Sequence, residues 1–283
     1  MTANTEWRVQ RLAAFSDGDT GGNPAGVVVE RQLPDGPTMR RIAREVGFSE
    51  TAFAAPIDDG WRVRYFSPES EVAFCGHATI ALGAALALAG GDGVFALTLN
   101  DAKITVEGHS DGKVVAVALQ SPATRSAPAD PEIISEALTL FKYTPQDLDV
   151  RIPPALAHGG ANHLVLALAS RQILSRMRYD LAAGREFMNR VGVVTVSLIY
   201  AEGPRLFHAR NAFASGGVYE DPATGAAAAA LAGYLRDIYW PHGGAIDIIQ
   251  GEDMGARSRL RAEIRPAVGS SIRVSGTART MGD

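Results

Sequence analysis

Four side chains in this sequence could move a proton, and each has a competing structural role. Glu50 lies in Phe48-Ser49-Glu50-Thr51-Ala52-Phe53, between aromatic residues. A carboxylate held in so apolar a segment could take and return a carbon-bound proton. Taken alone, however, the segment reads first as a surface glutamate at the start of a strand. His77 adjoins an apolar helix and Asp221 precedes another, so each alone reads as a cap or a polar group satisfied in the core. Cys75 has the chemistry of a racemase thiol, where two thiols remove and deliver a proton on opposite faces of a substrate. It is the chain's one cysteine, and Asp221 to Thr224 fill the matching place in the second half. A two-thiol mechanism is therefore closed to this chain, and Cys75 is expected to be a buried, inert thiol.

The elements that would position these groups occur as a repeat. Glu71-Val72-Ala73-Phe74-Cys75-Gly76-His77-Ala78-Thr79 runs into a small-residue helix ending near Ala89, and Tyr219-Glu220-Asp221-Pro222-Ala223-Thr224-Gly225 runs into Ala226 to Leu235. Gly76 and Gly225 are separated by about half the chain, which predicts two similar halves, each a curved sheet around one buried helix. The first turn of such a helix offers backbone N–H groups and a partial positive charge to an anion, and two such ends facing each other would hold a carboxylate. Glycines at these turns also fit a purely conformational role. Small-residue helices demand close approach of the surrounding strands, which Gly83, Gly90 and Gly233 would permit.

Alternating segments at Trp7 to Ala13, Val63 to Phe66, Lys103 to Val106, Val114 to Leu119 and Leu164 to Leu168 predict strands. Helical patterns cover Met39 to Val46, Pro131 to Phe141, Arg171 to Met177 and Leu181 to Val191, with Thr38 and Asp130 as caps. The mixture is α+β. Ser121 to Pro131, with three prolines and no apolar periodicity, reads as a linker, dividing the chain into halves at 1–122 and 123–269.

Composition excludes several functions. A net charge of -4 without a Lys/Arg cluster argues against a nucleic-acid partner. Met1 to Arg11 is polar and lacks a signal-peptide core, and a single cysteine rules out an internal disulfide framework; the expected location is the cytoplasm. Val72 to Gly91 carries no Asp, Glu, Lys or Arg, but His77 and five glycines or threonines within it argue for a core helix and against a membrane span. His158 and His163 lack metal-ligand spacing, and His109, His208 and His242 are isolated, so no metal is expected. Gly21-Gly22-Asn23-Pro24-Ala25-Gly26 lacks the spacing of a dinucleotide or Walker loop, and no Gly-x-Ser-x-Gly elbow occurs.

Taken together, Gly22-Asn23-Pro24-Ala25-Gly26-Val27, Phe48 to Phe53, Arg64-Tyr65-Phe66-Ser67-Pro68, Glu71 through Gly83, Glu220-Asp221-Pro222-Ala223-Thr224-Gly225 and Gln250-Gly251-Glu252-Asp253-Met254-Gly255 resemble the phenazine biosynthesis PhzF-like family. The resemblance runs from about Val9 to Gly276. It implies the diaminopimelate epimerase-like fold, with two pseudo-symmetric halves, each a curved sheet or barrel around a central helix, an active site between them, and a C-terminal strand (270–283) returning to the first half. It implies an isomerase that uses no cofactor, acts on a small carboxylate-bearing substrate and forms a homodimer. Glu50 falls on the family's acid-base residue, and His77 and Asp221 on residues that orient the substrate; Gly76, Ala78, Thr224, Gly225, Ala226 and Asn23 are the expected substrate contacts. Two departures stand out. Where the family often has serine after Thr-Gly, this chain has Ala226, removing one hydrogen bond to a substrate carboxylate, worth about 0.5–3 kcal/mol. Ala52 stands where threonine is frequent. The resemblance therefore does not carry over the substrate trans-2,3-dihydro-3-hydroxyanthranilate. An amino-acid epimerase and a non-catalytic carboxylate-binding protein of the same fold are the alternatives.

Overall fold

The computed structural model describes residues 7–112 and 114–282, so the first six residues of the polar start lie outside the described residues. Two compact units divide the chain: one takes in residues up to Asp19, Asn23–Leu119 and the chain from Thr277; the other takes in Thr20–Gly22 and Gln120–Gly276. Relative to the expected halves, residues 20–22, 120–122 and 270–276 fall in the second unit.

The first unit contains β1 (Gln10–Ser16), β2 (Asn23–Val29), α1 (Gly36–Val46), β3 (Thr51–Ile57), β4 (Gly60–Phe66), β5 (Glu71–Val72), α2 (Gly76–Gly90), β6 (Gly93–Thr98), β7 (Lys103–Ser110) and most of β8 (Val115–Ala123). β1 and β2 are antiparallel, β2 and β3 parallel across α1, and β3 and β4 antiparallel; β5 flanks β4. β4 and β6 are parallel across α2, and β6, β7 and β8 continue antiparallel. Every residue of α2 from His77 to Ala87 is buried, against β1, β2, β3, β6 and β7. An all-round apolar helix of small residues reaches this position because strands can close around it from several sides.

The second unit repeats the pattern with β9 (Arg125–Pro128), α3 (Pro131–Phe141), β10 (Ala155–His158), β11 (Asn162–Ala167), α4 (Arg171–Ser175), α5 (Leu181–Val191), β12 (Thr195–Ala201), β13 (Leu206–Phe213), β14 (Val218–Asp221), α6 (Gly225–Asp237), β15 (Ala245–Gln250), β16 (Ser258–Glu263) and most of β17 (Ser271–Thr280). β10 and β11 form a hairpin, β11 and β12 are parallel, β12 and β13 antiparallel, and β14 flanks β13. β13 and β15 are parallel across α6, followed by antiparallel β16 and β17. Strand for strand, this is the order of the first unit. α6 is buried from Ala227 to Arg236 against β9, β10, β11, β15 and β16.

Several sequence expectations need correction. Asp35, not Thr38, caps α1: the Thr38 N–H donates to Asp35 Oδ1 at 2.8 Å, because a helix beginning with Gly36-Pro37 puts its cap three residues earlier. Asp130 does cap α3. Ser121 to Pro131 is not an unstructured linker, since β8 continues to Ala123 and β9 follows. Its prolines hid the strands, but polar side chains hold them: the buried Arg236 donates to Thr124 Oγ1, and Ser126 donates to Asp237. A Cβ on Gly83 would come within 2.6 Å of Val106, and one on Gly233 within 2.6 Å of Thr124, so both permit close packing. Gly90 meets nothing within 4 Å and has no such role. Among the described residues no helix is long and apolar enough to cross a membrane.

Candidate active site

In the first unit the parallel pair β2–β3 fixes Glu50. The Gly26 N–H donates to the Glu50 carbonyl at 3.2 Å, and a Cβ on Gly26 would come within 2.7 Å of Thr51 Oγ1. This explains the glycine of the Asn-Pro-Ala-Gly segment: only a residue without a side chain lets β2 approach the start of β3. Glu50 is 8% exposed, so the isolated surface reading does not hold. Asn23 begins β2 opposite Ala14 and is buried three residues before Gly26.

α2 presents the partner. Cys75 is its N-cap residue in extended conformation and makes no side-chain capping bond; Gly76, His77 and Ala78 form the first turn. The ring of His77, 5% exposed, places Nε2 3.4 Å from Glu50 Oε2 and 3.5 Å from Ser49 Oγ. On the other side Nδ1 lies 3.3 Å from Cys75 Sγ. Thr79 buttresses this turn by donating to the Cys75 carbonyl at 2.7 Å, while its hydroxyl also meets Tyr65 OH at 2.7 Å. Burial pushes the Tyr65 phenol above its ordinary range, so it stays protonated. Tyr65 and Thr79 were in the sequence motifs, but nothing local marked them as the turn's support.

Charges nearby in sequence are structural. Arg64 clamps Glu71 through Nε–Oε1 at 2.8 Å and Nη2–Oε2 at 2.6 Å, and this hydrogen bonding holds the Glu71 carboxyl down at about 2.

In the second unit Asp221 ends β14, and Thr224, the N-cap of α6, donates its hydroxyl to Asp221 Oδ2 at 2.5 Å. Gly225 and Ala226 open the helix. The buried Gln250 binds this turn three ways: Nε2 donates to the Asp221 carbonyl at 2.7 Å and to Thr224 Oγ1 at 3.0 Å, and Oε1 accepts the Thr224 N–H at 3.3 Å. Gly251 has φ 74°, and a Cβ there would come within 2.8 Å of the Pro222 carbonyl oxygen. The Gln-Gly pair thus shapes the Asp-Pro-Ala-Thr-Gly turn, a role the sequence motif did not disclose.

The predicted residues therefore form two groups, Glu50 with Gly76, His77 and Ala78 in one unit, and Asp221 with Thr224, Gly225 and Ala226 in the other. Among the described residues, Glu50, Cys75 and His77 are the one set of possible metal-ligand side chains found close together, with donor atoms within 4.8 Å.

Comparison with known proteins agrees with this architecture. The family model described as phenazine biosynthesis-like protein matches residues 12–283. The chain is 34% identical, over 94% of each chain, to a trans-2,3-dihydro-3-hydroxyanthranilate isomerase of Pseudomonas aeruginosa. A solved structure described as a predicted epimerase from the same species superposes with a TM-score of 0.85 at 25% identity, covering 98% of both chains. A probable proline racemase from Agrobacterium radiobacter superposes with a TM-score of 0.64 at 12% identity, covering 98% of this chain and 92% of that one, and so shares the diaminopimelate epimerase-like fold. The chain accordingly belongs to the phenazine biosynthesis-like (PhzC–PhzF) family and is an isomerase.

Proposed function

We propose that this isomerase moves a proton between carbon atoms of a small carboxylate-bearing substrate, with Glu50 as the acid-base residue. The observation that carries the reading is the buried Glu50 carboxylate 3.4 Å from His77 Nε2, at the opening of an uncapped helix. The Glu50 carboxylate accepts a proton from a carbon next to an electron-withdrawing group, and the C–H electron pair delocalises into that group. Glu50, now the neutral acid, returns the proton to a second carbon and is regenerated, so atoms and electrons balance without an oxidant or reductant. His77 orients the carboxylate. The first-turn N–H groups of α2 favour negative charge on the substrate. In the second unit the first turn of α6, with Asp221 and Thr224, offers an anion-binding helix end of its own, to which Ala226 adds no hydroxyl, so the substrate need not be the one named for the Pseudomonas relative.

Native mass spectrometry of the chain after incubation with metabolite extract supplies the ligand, which is then turned over in D₂O. The expected result is deuterium at carbon in the product, and at least a 100-fold loss of rate in Glu50→Gln, because the amide cannot accept the proton. Retention of more than about a tenth of wild-type activity would remove Glu50 from the role.

A further inference from the structure

The donor atoms of Glu50, Cys75 and His77 are brought within 4.8 Å of one another from two elements. A tetrahedral ion with bonds of about 2.0–2.3 Å keeps its ligand atoms roughly 3.3–3.7 Å apart. Glu50 Oε2 is already 3.4 Å from His77 Nε2, whereas Cys75 Sγ lies 3.3 Å from Nδ1 and 3.9 Å from Nε2, with all donors inside 4.8 Å. Binding through Nε2 therefore requires Cys75 to change its χ1 rotamer towards that nitrogen, together with a rotation of the carboxylate. All three residues are at most 9% exposed, so the arrangement is not a loose surface cluster. Thiolate and imidazole are soft or borderline donors, which favour Zn²⁺ and Co²⁺ over Mg²⁺ and Ca²⁺. Charge also balances: one thiolate and one carboxylate neutralise a divalent ion, offsetting the unfavourable positive end of α2.

We propose that these three side chains bind one divalent cation of the Zn²⁺ class, and that the ion inhibits the enzyme by occupying the Glu50 oxygen that takes the substrate proton. The cation forms bonds to Sγ, Nε2 and Oε2, and the thiol proton leaves to solvent. Below the thiol pKa, binding therefore strengthens about tenfold per pH unit. The inhibitory consequence rests on the acid-base reading of Glu50, whereas metal binding does not.

The full chain, stripped with EDTA and exchanged into buffer free of chelator and thiols, is titrated with CoCl₂. A sulfur-to-cobalt charge-transfer band should rise to saturation at one ion per chain, and Zn²⁺, but not Mg²⁺, should abolish it. Since Cys75 is the one cysteine in the chain, any such band reports that residue. Cys75→Ser should lose the band, while His77→Gln and Glu50→Gln should each weaken binding at least tenfold. Calorimetry of Zn²⁺ binding to the unaltered chain in two buffers of different ionisation enthalpy should show release of about one proton, a readout independent of any variant's folding. Absence of the band in the unaltered chain, absence of proton release, or unchanged affinity in both His77→Gln and Glu50→Gln would each overturn the site. None of these readouts needs turnover, so a failed acid-base assignment with intact metal binding would be recognised as such.

Discussion

Glu50 Oε2 and His77 Nε2 lie 3.4 Å apart although they belong to a strand start and a helix first turn separated in the chain by a whole hairpin. If the imidazole orients the carboxylate, His77→Gln should lower kcat by about 10–100-fold, with the fold retained by circular dichroism. A variant with unchanged kcat would show that the contact has no catalytic consequence.

Cys75 Sγ touches His77 Nδ1 at 3.3 Å, so the thiol is a neighbour of the site and not merely filling in the core. Cys75→Ala should nevertheless cost less than about tenfold in rate, against about 100-fold or more for Glu50→Gln, because a lone thiol cannot supply the second base of a two-thiol racemase. A loss equal to that of Glu50→Gln in steady-state assays would make the thiol a base.

Gln250→Leu removes three hydrogen bonds from the Asp221–Thr224 turn. The expected cost is about 2–3 kcal/mol, read as a fall in Tm of roughly 5–10 °C. A Tm within a degree of the parent would mean that the turn holds its shape without Gln250.

His163 is wholly buried on β11, with Nδ1 2.8 Å from Thr195 Oγ1, and burial, with a smaller contribution from His158, pushes its pKa down from 6.5 to about 3. The unfolded chain binds this proton below pH 6.5 and the native chain does not until near pH 3. Stability is therefore unaffected by this group above pH 6.5 and is lost progressively as pH falls from 6.5 towards 3. In His163→Gln the dependence of unfolding free energy on pH between 6.5 and 5, from urea titrations, should be shallower by up to about 1.4 kcal/mol per pH unit. Identical slopes in the two proteins would show that native His163 takes up its proton in the same range as the unfolded chain.

What could be read from the chain alone was what depends on neighbours in sequence. The small-residue runs after Gly76 and Gly225 announced two buried helices and an internal repeat, and Asp130-Pro131 announced α3, because periodicity and capping are local. The motif around Glu50 marked the residue, through resemblance, without its surroundings. Tertiary structure decided the rest. Glu50 became buried because Gly26 draws β2 against the start of β3. Residues 121–123 and Arg125–Pro128 became strand by pairing in the sheet, with Arg236 and Asp237 of α6 bound to the Thr124 and Ser126 hydroxyls. Gln250 reaches the α6 turn because β15 runs parallel to β13. Cys75, His77 and Glu50 converge because Thr79 and Tyr65 brace the first turn of α2. Apart from the local Thr79 hydrogen bond to the Cys75 carbonyl, these contacts join residues well separated in the chain, and their energy depends on how strands and helices pack and not on the pattern of either segment.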